Sequence, residues 1–233
     1  MKILVTILAY NEEASISEVI QRVRHELPDA TIAVINDGSG DNTAGAAQRT
    51  GVAVINLPFN LGIGGAMQTG LKLGILGDYD IIVRMDGDGQ HPPEEIPKLL
   101  SPLLNDDADI AVGTRFLHDS SPTQIPFSRI VGIALFSQLA TWFSGRKVTD
   151  ATCSFQSINR KAAIFLDKNM EQDHPEVDGW ILLGRAGYRV QEIPLAIHPR
   201  MRGVSSIDLP RAIYFIVKVT LTAFAARSRK YYK

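Results

Sequence analysis

At 233 residues and 45% apolar composition, the chain is long enough to bury one sizeable core, which excludes an intrinsically disordered polypeptide. Its 24 basic and 25 acidic side chains leave a formal charge of −1, so no global field recruits nucleic acid and any anionic partner must be met by local charge. The single cysteine, Cys153, excludes an internal disulfide framework, fits a reducing compartment and reads as a packed small residue rather than a nucleophile.

The first apolar run, Ile3 to Ala9, follows one lysine and stops at Asn11-Glu12-Glu13. It is too short for a secretory segment and lacks a cleavage site, so it predicts a strand and no export. Further strand-like runs follow at Thr31 to Ile35, Val52 to Asn56, Ile81 to Met85 and Asp109 to Val112, with helix-like segments between them. Ser15 followed by Glu18 is a capping-box signal for the first helix. This βαβα order predicts a mostly parallel sheet with helices on both faces.

In such sheets ligands bind beyond the carboxyl ends of the strands, and the polar clusters of this chain fall there. Tyr10-Asn11-Glu12 follows the first strand, Asn36-Asp37-Gly38-Ser39 the second, Asn60 to Gly65 the third and the Asp86 cluster the fourth. Asp37 is placed to accept hydrogen bonds from a nucleobase edge, or else belongs to a turn capping a helix at Asn42. The glycines from Asn60 to Gly65 make a weak dinucleotide fingerprint, since Met67 takes the final glycine position. They suit close packing or backbone approach to a phosphate.

The richest stretch is Asp80 to His91, DIIVRMDGDGQH. Asp86, Asp88 and Gln90 recur every second residue at a strand end, so in a locally extended turn they share a side. Three oxygen-bearing side chains of this kind suit a hard cation such as Mg²⁺ or Mn²⁺, with room for nucleotide phosphates; the alternative is a solvated Asp-Gly turn.

After Thr114 and Arg115 the alternation stops. A Ser/Pro-rich loop at 118 to 126 leads to a mostly apolar helix at Phe127 to Phe143, an irregular connection at Asp150 to Phe155 and a short helix at Asn159 to Leu166. Pro175 to Gly187 predicts another helix, with Glu176 and Asp178 in its first turn, where carboxylates complement the helix dipole. A strand at Tyr188 to Ile193 then opens onto the basic loop His198 to Ser205, whose arginines either meet phosphate oxygens or are simply solvated.

Leu209 to Arg229 predicts a broadly apolar helix with Arg211, Lys218, Thr222 and Arg229 on one stripe, followed by a tail of cations and aromatics. It suits either an interfacial position on a membrane or packing against protein. No stretch reaches the roughly 18 uninterrupted apolar residues of a spanning helix; Ala212 to Ala226 is broken by Lys218.

The ordered motifs AYNEE (Ala9 to Glu13), NDGSGDNT (Asn36 to Thr43), NLGIGGA (Asn60 to Ala66), MDGDGQHP (Met85 to Pro92), GTR (Gly113 to Arg115), DATCSFQ (Asp150 to Gln156), PEVD (Pro175 to Asp178) and RMRGVS (Arg200 to Ser205) resemble those of the family-2 glycosyltransferases. Within that family the chain is most similar to the dolichyl-phosphate mannosyltransferase and polyprenyl-phosphate glycosyltransferase branch. The resemblance implies the nucleotide-diphospho-sugar transferase (GT-A type) fold, a Rossmann-like α/β architecture, here with a C-terminal amphipathic helix. It implies a glycosyltransferase domain over 1–206, with a nucleotide-sugar-binding half at 1–115 and an acceptor-side half at 116–206, and an amphipathic helix with a basic tail at 207–233.

Carried over by residue, it implies that Glu12 and Asp37 hold the nucleoside, that Asp86, Asp88 and Gln90 hold Mg²⁺ or Mn²⁺ on the diphosphate, and that Arg115, Arg200 and Ser205 engage phosphates. The activity implied is inverting, metal-dependent transfer of a hexose of the mannose or glucose class. The donor is a GDP- or UDP-linked sugar and the acceptor a polyprenyl or dolichyl phosphate. Asp88 is catalytic through the metal, and Glu176 or Asp178 is the candidate base for an alcohol acceptor. A hydroxyl acceptor and a non-catalytic nucleotide-sugar-binding protein are the alternatives. A cytoplasmic location is expected, peripheral on the membrane if the last helix is interfacial, and homo-oligomerisation is left open.

Three departures stand out. Asn36 replaces a usual acidic residue, Cys153-Ser154-Phe155-Gln156 replaces the usual Gly-Phe-Arg ending, and the usual C-terminal transmembrane helices do not follow.

Overall fold

The apolar runs at 3–9, 31–36, 81–86 and 110–114 become strands covered on both faces, as a parallel sheet requires, while the run at 53–56 is a partly exposed edge. In the computed structural model, which describes residues 1–116, 127–170 and 175–196, the strands are β1 (Ile3–Ala9), β2 (Thr31–Asn36), β3 (Ala53–Asn56), β4 (Ile81–Asp86), β5 (Ile110–Thr114), β6 (Gln156–Asn159) and β7 (Val190–Pro194). They form one seven-stranded sheet in the order β3-β2-β1-β4-β6-β5-β7. The predicted Ser/Pro-rich loop and the C-terminal helix and tail at 207–233 fall on residues outside that description.

Every pairing is parallel except the two made by β6, which runs antiparallel between β4 and β5. This strand is missing from the sequence reading. It is four residues long, it carries Gln156 and Ser157 in place of an apolar alternation, and it is nonetheless almost wholly buried. Through β6 and β7 the sheet runs continuously across the sequence division at residue 115.

The helices are α1 (Ile16–Glu26), α2 (Thr43–Gln48), α3 (Gly62–Leu76), α4 (Ile96–Leu104, entered through a 3₁₀ turn at Pro93–Glu95), α5 (Phe127–Ser144), α6 (Arg160–Asn169) and α7 (Pro175–Ala186). α1 buries Ile16, Val19, Ile20 and Val23, the i, i+3, i+4, i+7 stripe of a helix laid on a sheet. α1, α2 and α4 occupy one face; α3, α6 and α7 occupy the other, with α5 against α7. α3 approaches the sheet closely because a Cβ at Gly74 would stand 2.2 Å from Cδ1 of Ile82.

The capping-box expectation at Ser15 is corrected. Ser15 is the N-cap of α1 but makes no side-chain cap bond; its hydroxyl donates to the Gly87 carbonyl at 2.7 Å. The carbonyl just past β4 competes successfully for the hydroxyl, and Glu18 faces Arg22 one turn on.

On the α3 and α7 face, β4 carries Arg84 at 1% exposure. Its Nη2 donates to Oε1 of Glu176 at 2.5 Å, with side-chain exposures of 2% and 14%. Breaking such a pair by removing one partner strands a buried charge. Glu176→Leu is therefore expected to lower stability by about 3–5 kcal/mol, while Arg84→Met combined with Glu176→Leu recovers most of that loss. Urea unfolding of the two variants and the parent checks it; equal stability of the single and double variants contradicts it.

Candidate active site

The carboxyl ends of β2, β1 and β4 meet on one rim, and their backbone ties it together. Asp37 N–H donates to the Ala9 carbonyl at 2.9 Å and Gly87 N–H to the Leu8 carbonyl at 2.8 Å, so the Asp37 and Asp86 loops attach to consecutive residues of β1. β2 and β4 flank β1, with α1 and α3 on opposite faces of the sheet. Such a switch point is where α/β sheets leave a crevice.

The loop after β1 is laced to the loop after β2. Asn11 N–H donates to Ser39 Oγ at 3.0 Å, Gly40 N–H to Asn11 Oδ1 at 2.8 Å and Glu12 N–H to Thr43 Oγ1 at 2.8 Å. Glu12 is half-buried, and Asp41 accepts from the hydroxyl and N–H of Thr43. Asn36, where an acidic residue was expected, is buried with its amide donating to Asn56 Oδ1 at 2.8 Å.

Asp37 is 5% exposed, and its Oδ1 accepts the Leu61 N–H at 2.7 Å. It therefore caps the entry to α3, an arrangement that neither sequence reading of this residue contained. Burial raises the Asp37 pKa, opposed by the N–H groups of Leu61 and Gly62. Gly38 beside it has φ +66°, and a Cβ there would stand 2.5 Å from the Phe59 backbone.

The Asp86 loop is held from several sides. Asp88 is 6% exposed and its Oδ1 accepts the Gln90 N–H at 3.0 Å. His91 is buried, stacks on Phe155 at 4.8 Å and takes the Asp86 N–H on Nδ1 at 3.1 Å. Burial depresses the His91 pKa, opposed by Asp86 and Asp88, and the neutral ring accepts at Nδ1. Ser154 Oγ donates to Asp86 Oδ2 at 2.7 Å, while Asp86 Oδ1 is buried with no hydrogen-bond partner.

That bare oxygen fits a metal-ligand role, since a buried carboxylate oxygen normally has a donor. Asp88 and Gln90, in the same turn, add the oxygen chemistry that Mg²⁺ or Mn²⁺ prefers. Among the described residues no group of three His, Cys, Asp or Glu side chains forms a metal cluster. An ion here would rest on two carboxylates and a carboxamide.

The second half braces this loop. Glu192 of β7 accepts from the N–H groups of Thr149 and Asp150, both at 2.9 Å. Asp150, fully buried, holds Arg115 through Nε at 2.6 Å and Nη2 at 2.8 Å, and Arg115 Nη2 also reaches Thr152 Oγ1 at 2.8 Å. The arginine expected on a phosphate is thus engaged by Asp150. Glu176 is engaged by Arg84, and Asp178, two residues on, is buried. Burial pushes the Cys153 thiol up to about 12, as suits a packed residue. Arg200 and Ser205 lie outside the described residues.

The sequence reading assigned no role to Arg84, His91, Asp150, Ser154 or Glu192. His91, Asp150 and Ser154 stand inside the ordered motifs without a role of their own, Arg84 is marked as a cation inside an apolar strand, and Glu192 has no sequence signal.

The family model described as "Glycosyl transferase family 2" matches residues 4–165. The undecaprenyl-phosphate mannosyltransferase of Micrococcus luteus is 30% identical over 97% of this chain and 96% of its own length. The polyprenol monophosphomannose synthase of Mycolicibacterium smegmatis is 28% identical over 88% of this chain and 80% of its own. Among solved structures, glucosyl-3-phosphoglycerate synthase from Mycobacterium tuberculosis, in complex with Mn²⁺, UDP and phosphoglyceric acid, superposes with a TM-score of 0.74 at 20% identity, over 95% of this chain and 78% of that one.

The Asp37 geometry gives a pH test. Its raised pKa means that the ionised form costs stability above that pKa, and the cost is relieved as pH falls through it toward the ordinary carboxylate range. Asp37→Asn keeps an acceptor for Leu61 N–H without the charge. The variant should be at least as stable as the parent at pH 7 and should lack the parent's gain on mild acidification. Thermal unfolding across pH 4 to 8, taken as roughly the carboxylate-to-neutral range, checks this; identical pH profiles contradict it.

Proposed function

The chain belongs to glycosyl transferase family 2, and from that premise we propose that it is an inverting, metal-dependent enzyme moving a hexose from a nucleotide diphosphate sugar to a polyprenyl or dolichyl phosphate. The observation that carries the reading is the buried, unpartnered Oδ1 of Asp86 beside Asp88 and Gln90 at the end of β4, on the rim that Asp37 shares. In support, the undecaprenyl-phosphate mannosyltransferase relative covers the acceptor-side half of this chain as well as the donor half.

Asp37 and Glu12 bind the nucleoside, and Asp86, Asp88 and Gln90 would hold Mg²⁺ or Mn²⁺. A divalent ion, when bound, neutralises the charge that develops on the leaving diphosphate. The acceptor oxygen attacks the anomeric carbon from the face opposite the leaving group, which inverts the configuration. A phosphate monoester, with a second pKa near about 6, is already largely ionised at neutral pH and needs no base. That suits a site where Glu176 is occupied by Arg84, and it leaves Asp178 as the candidate base if the acceptor is an alcohol. Arg115, through its edge away from Asp150, together with Arg200 and Ser205, meets the phosphates of donor and acceptor.

A lipid-borne phosphate has to be met at a surface. None of the helices in the described residues is long and apolar enough to cross a membrane. α5, however, exposes Val131 (52%), Leu135 (38%) and Trp142 (72%) along one stripe, and the exposed Arg146 and Lys147 follow it. An apolar face ending in tryptophan and cations suits the headgroup region of a bilayer, with the helix predicted at 209 to 229 as a second contact. A peripheral position on the cytoplasmic face of the membrane follows from this reading.

Two measurements test the proposal. Asp88→Asn keeps the acceptor for Gln90 N–H, so it should fold normally and lose Mn²⁺-dependent stabilisation by UDP- or GDP-sugars in a thermal-shift panel. Unchanged, EDTA-insensitive donor binding by the folded variant defeats the metal assignment. Sugar transfer to undecaprenyl or dolichyl phosphate, with none to the corresponding alcohol, checks the acceptor class; the reverse pattern overturns it.

A further inference from the structure

We propose that Ser154 is a positioning residue for the divalent-ion site: its hydroxyl holds Oδ2 of Asp86 so that Oδ1 is the oxygen offered to the ion. The inference rests on the reading of Asp86 as a metal ligand. It adds a residue from the other half of the chain, 68 positions away.

The two oxygens of Asp86 are in opposite situations. Oδ2 takes a hydroxyl hydrogen bond at 2.7 Å from Ser154, which is 8% exposed, whereas Oδ1 is buried and has no partner. A hydroxyl donating to an ionised carboxylate makes a strong, directional bond. Because Ser154 is shielded, water cannot easily take over when the hydroxyl is lost. Torsion about the Cβ–Cγ bond of Asp86 is therefore set by Ser154, and the carboxylate presents one oxygen only.

The clamp is itself anchored. The carbonyl of Cys153, just before Ser154, accepts the Gln156 carboxamide N–H at 3.1 Å. Phe155, just after it, stacks on His91, whose Nδ1 takes the Asp86 N–H. Consecutive residues of one connection thus grip Asp86 twice, Ser154 at the side chain and Phe155 through His91 at the backbone. Upstream, Glu192 holds the N–H groups of Thr149 and Asp150. The Ser154 backbone cannot shift away from Asp86 without moving this assembly.

Groups that orient a metal ligand from behind typically change metal affinity by about 10–100-fold when removed. Mn²⁺ binding is read by the loss of the free-ion EPR signal, with UDP and with GDP, for the full-length parent, Ser154→Ala, Ser154→Gly and Ser154→Thr. Ala and Gly are expected to weaken Mn²⁺ binding about tenfold or more while still unfolding cooperatively, and Thr, which keeps the hydroxyl, to restore it. Binding by a folded Ala or Gly variant within about twofold of the parent overturns the role of Ser154 and leaves the metal reading standing. A folded Thr variant as weak as Ala assigns the effect to packing and also overturns it. A parent that binds no Mn²⁺ with either nucleotide overturns both.

Discussion

A guanidinium in the middle of a sheet has to be answered by a negative charge within hydrogen-bond distance, and Glu176 answers Arg84. Arg84 lies two residues before Asp86 on the same strand, so its side chain projects from the same face one layer deeper. The partner comes from the first turn of α7, 92 positions away, which docks the second half of the chain onto the strand that carries the Asp86 loop. Gln156 of β6 stands directly opposite Arg84 in the antiparallel register. The buried charge, the reversed strand and the covering helix therefore come as one unit. Asp86, at the edge of that unit, inherits a fixed position.

The rim above it is largely self-satisfied. Asn11, Glu13, Asp41, Thr43 and Asp88 use their side chains on neighbouring backbone N–H groups. These loops carry the motifs most suggestive of ligand binding, yet most of their polar atoms hold the loops in shape. Pre-organisation of this kind lowers the ordering cost that a ligand must overcome. Against such a background an unpartnered buried oxygen on Asp86 is conspicuous.

The brace behind the rim comes from the second half of the chain. Glu192 fixes the start of the 149–154 connection, Asp150 on that connection takes Arg115, and Ser154 at its end takes Asp86. Strands β7, β5 and β4 are coupled through a single irregular segment, so the rim depends on residues from the second half of the chain. The solved neighbour at 20% identity keeps the fold at a TM-score of 0.74. A likeness at that level speaks for the sheet and its layers, while site chemistry has to be read from the side chains of this chain.

By itself the sequence determined the parallel strands of the first half, the helices between them and the rim on which the polar clusters gather. Those features are local: a strand buried on both faces reads as an apolar run, a helix on a sheet reads as an i, i+3, i+4 stripe, and a polar cluster ending such a run falls beyond the strand's carboxyl end. Ordered motifs across the chain also marked its family. The tertiary structure alone decided that β6 enters reversed between β4 and β5, that Ser15 serves Gly87 rather than its own helix, that Asp37 caps α3, that Arg84 takes Glu176 and that Ser154 takes Asp86. Each of those side-chain contacts joins residues between 24 and 92 positions apart. Hydroxyls, carboxylates and guanidinium groups satisfy whichever partner the packed chain brings within reach, and no local period of apolar and polar residues encodes that choice.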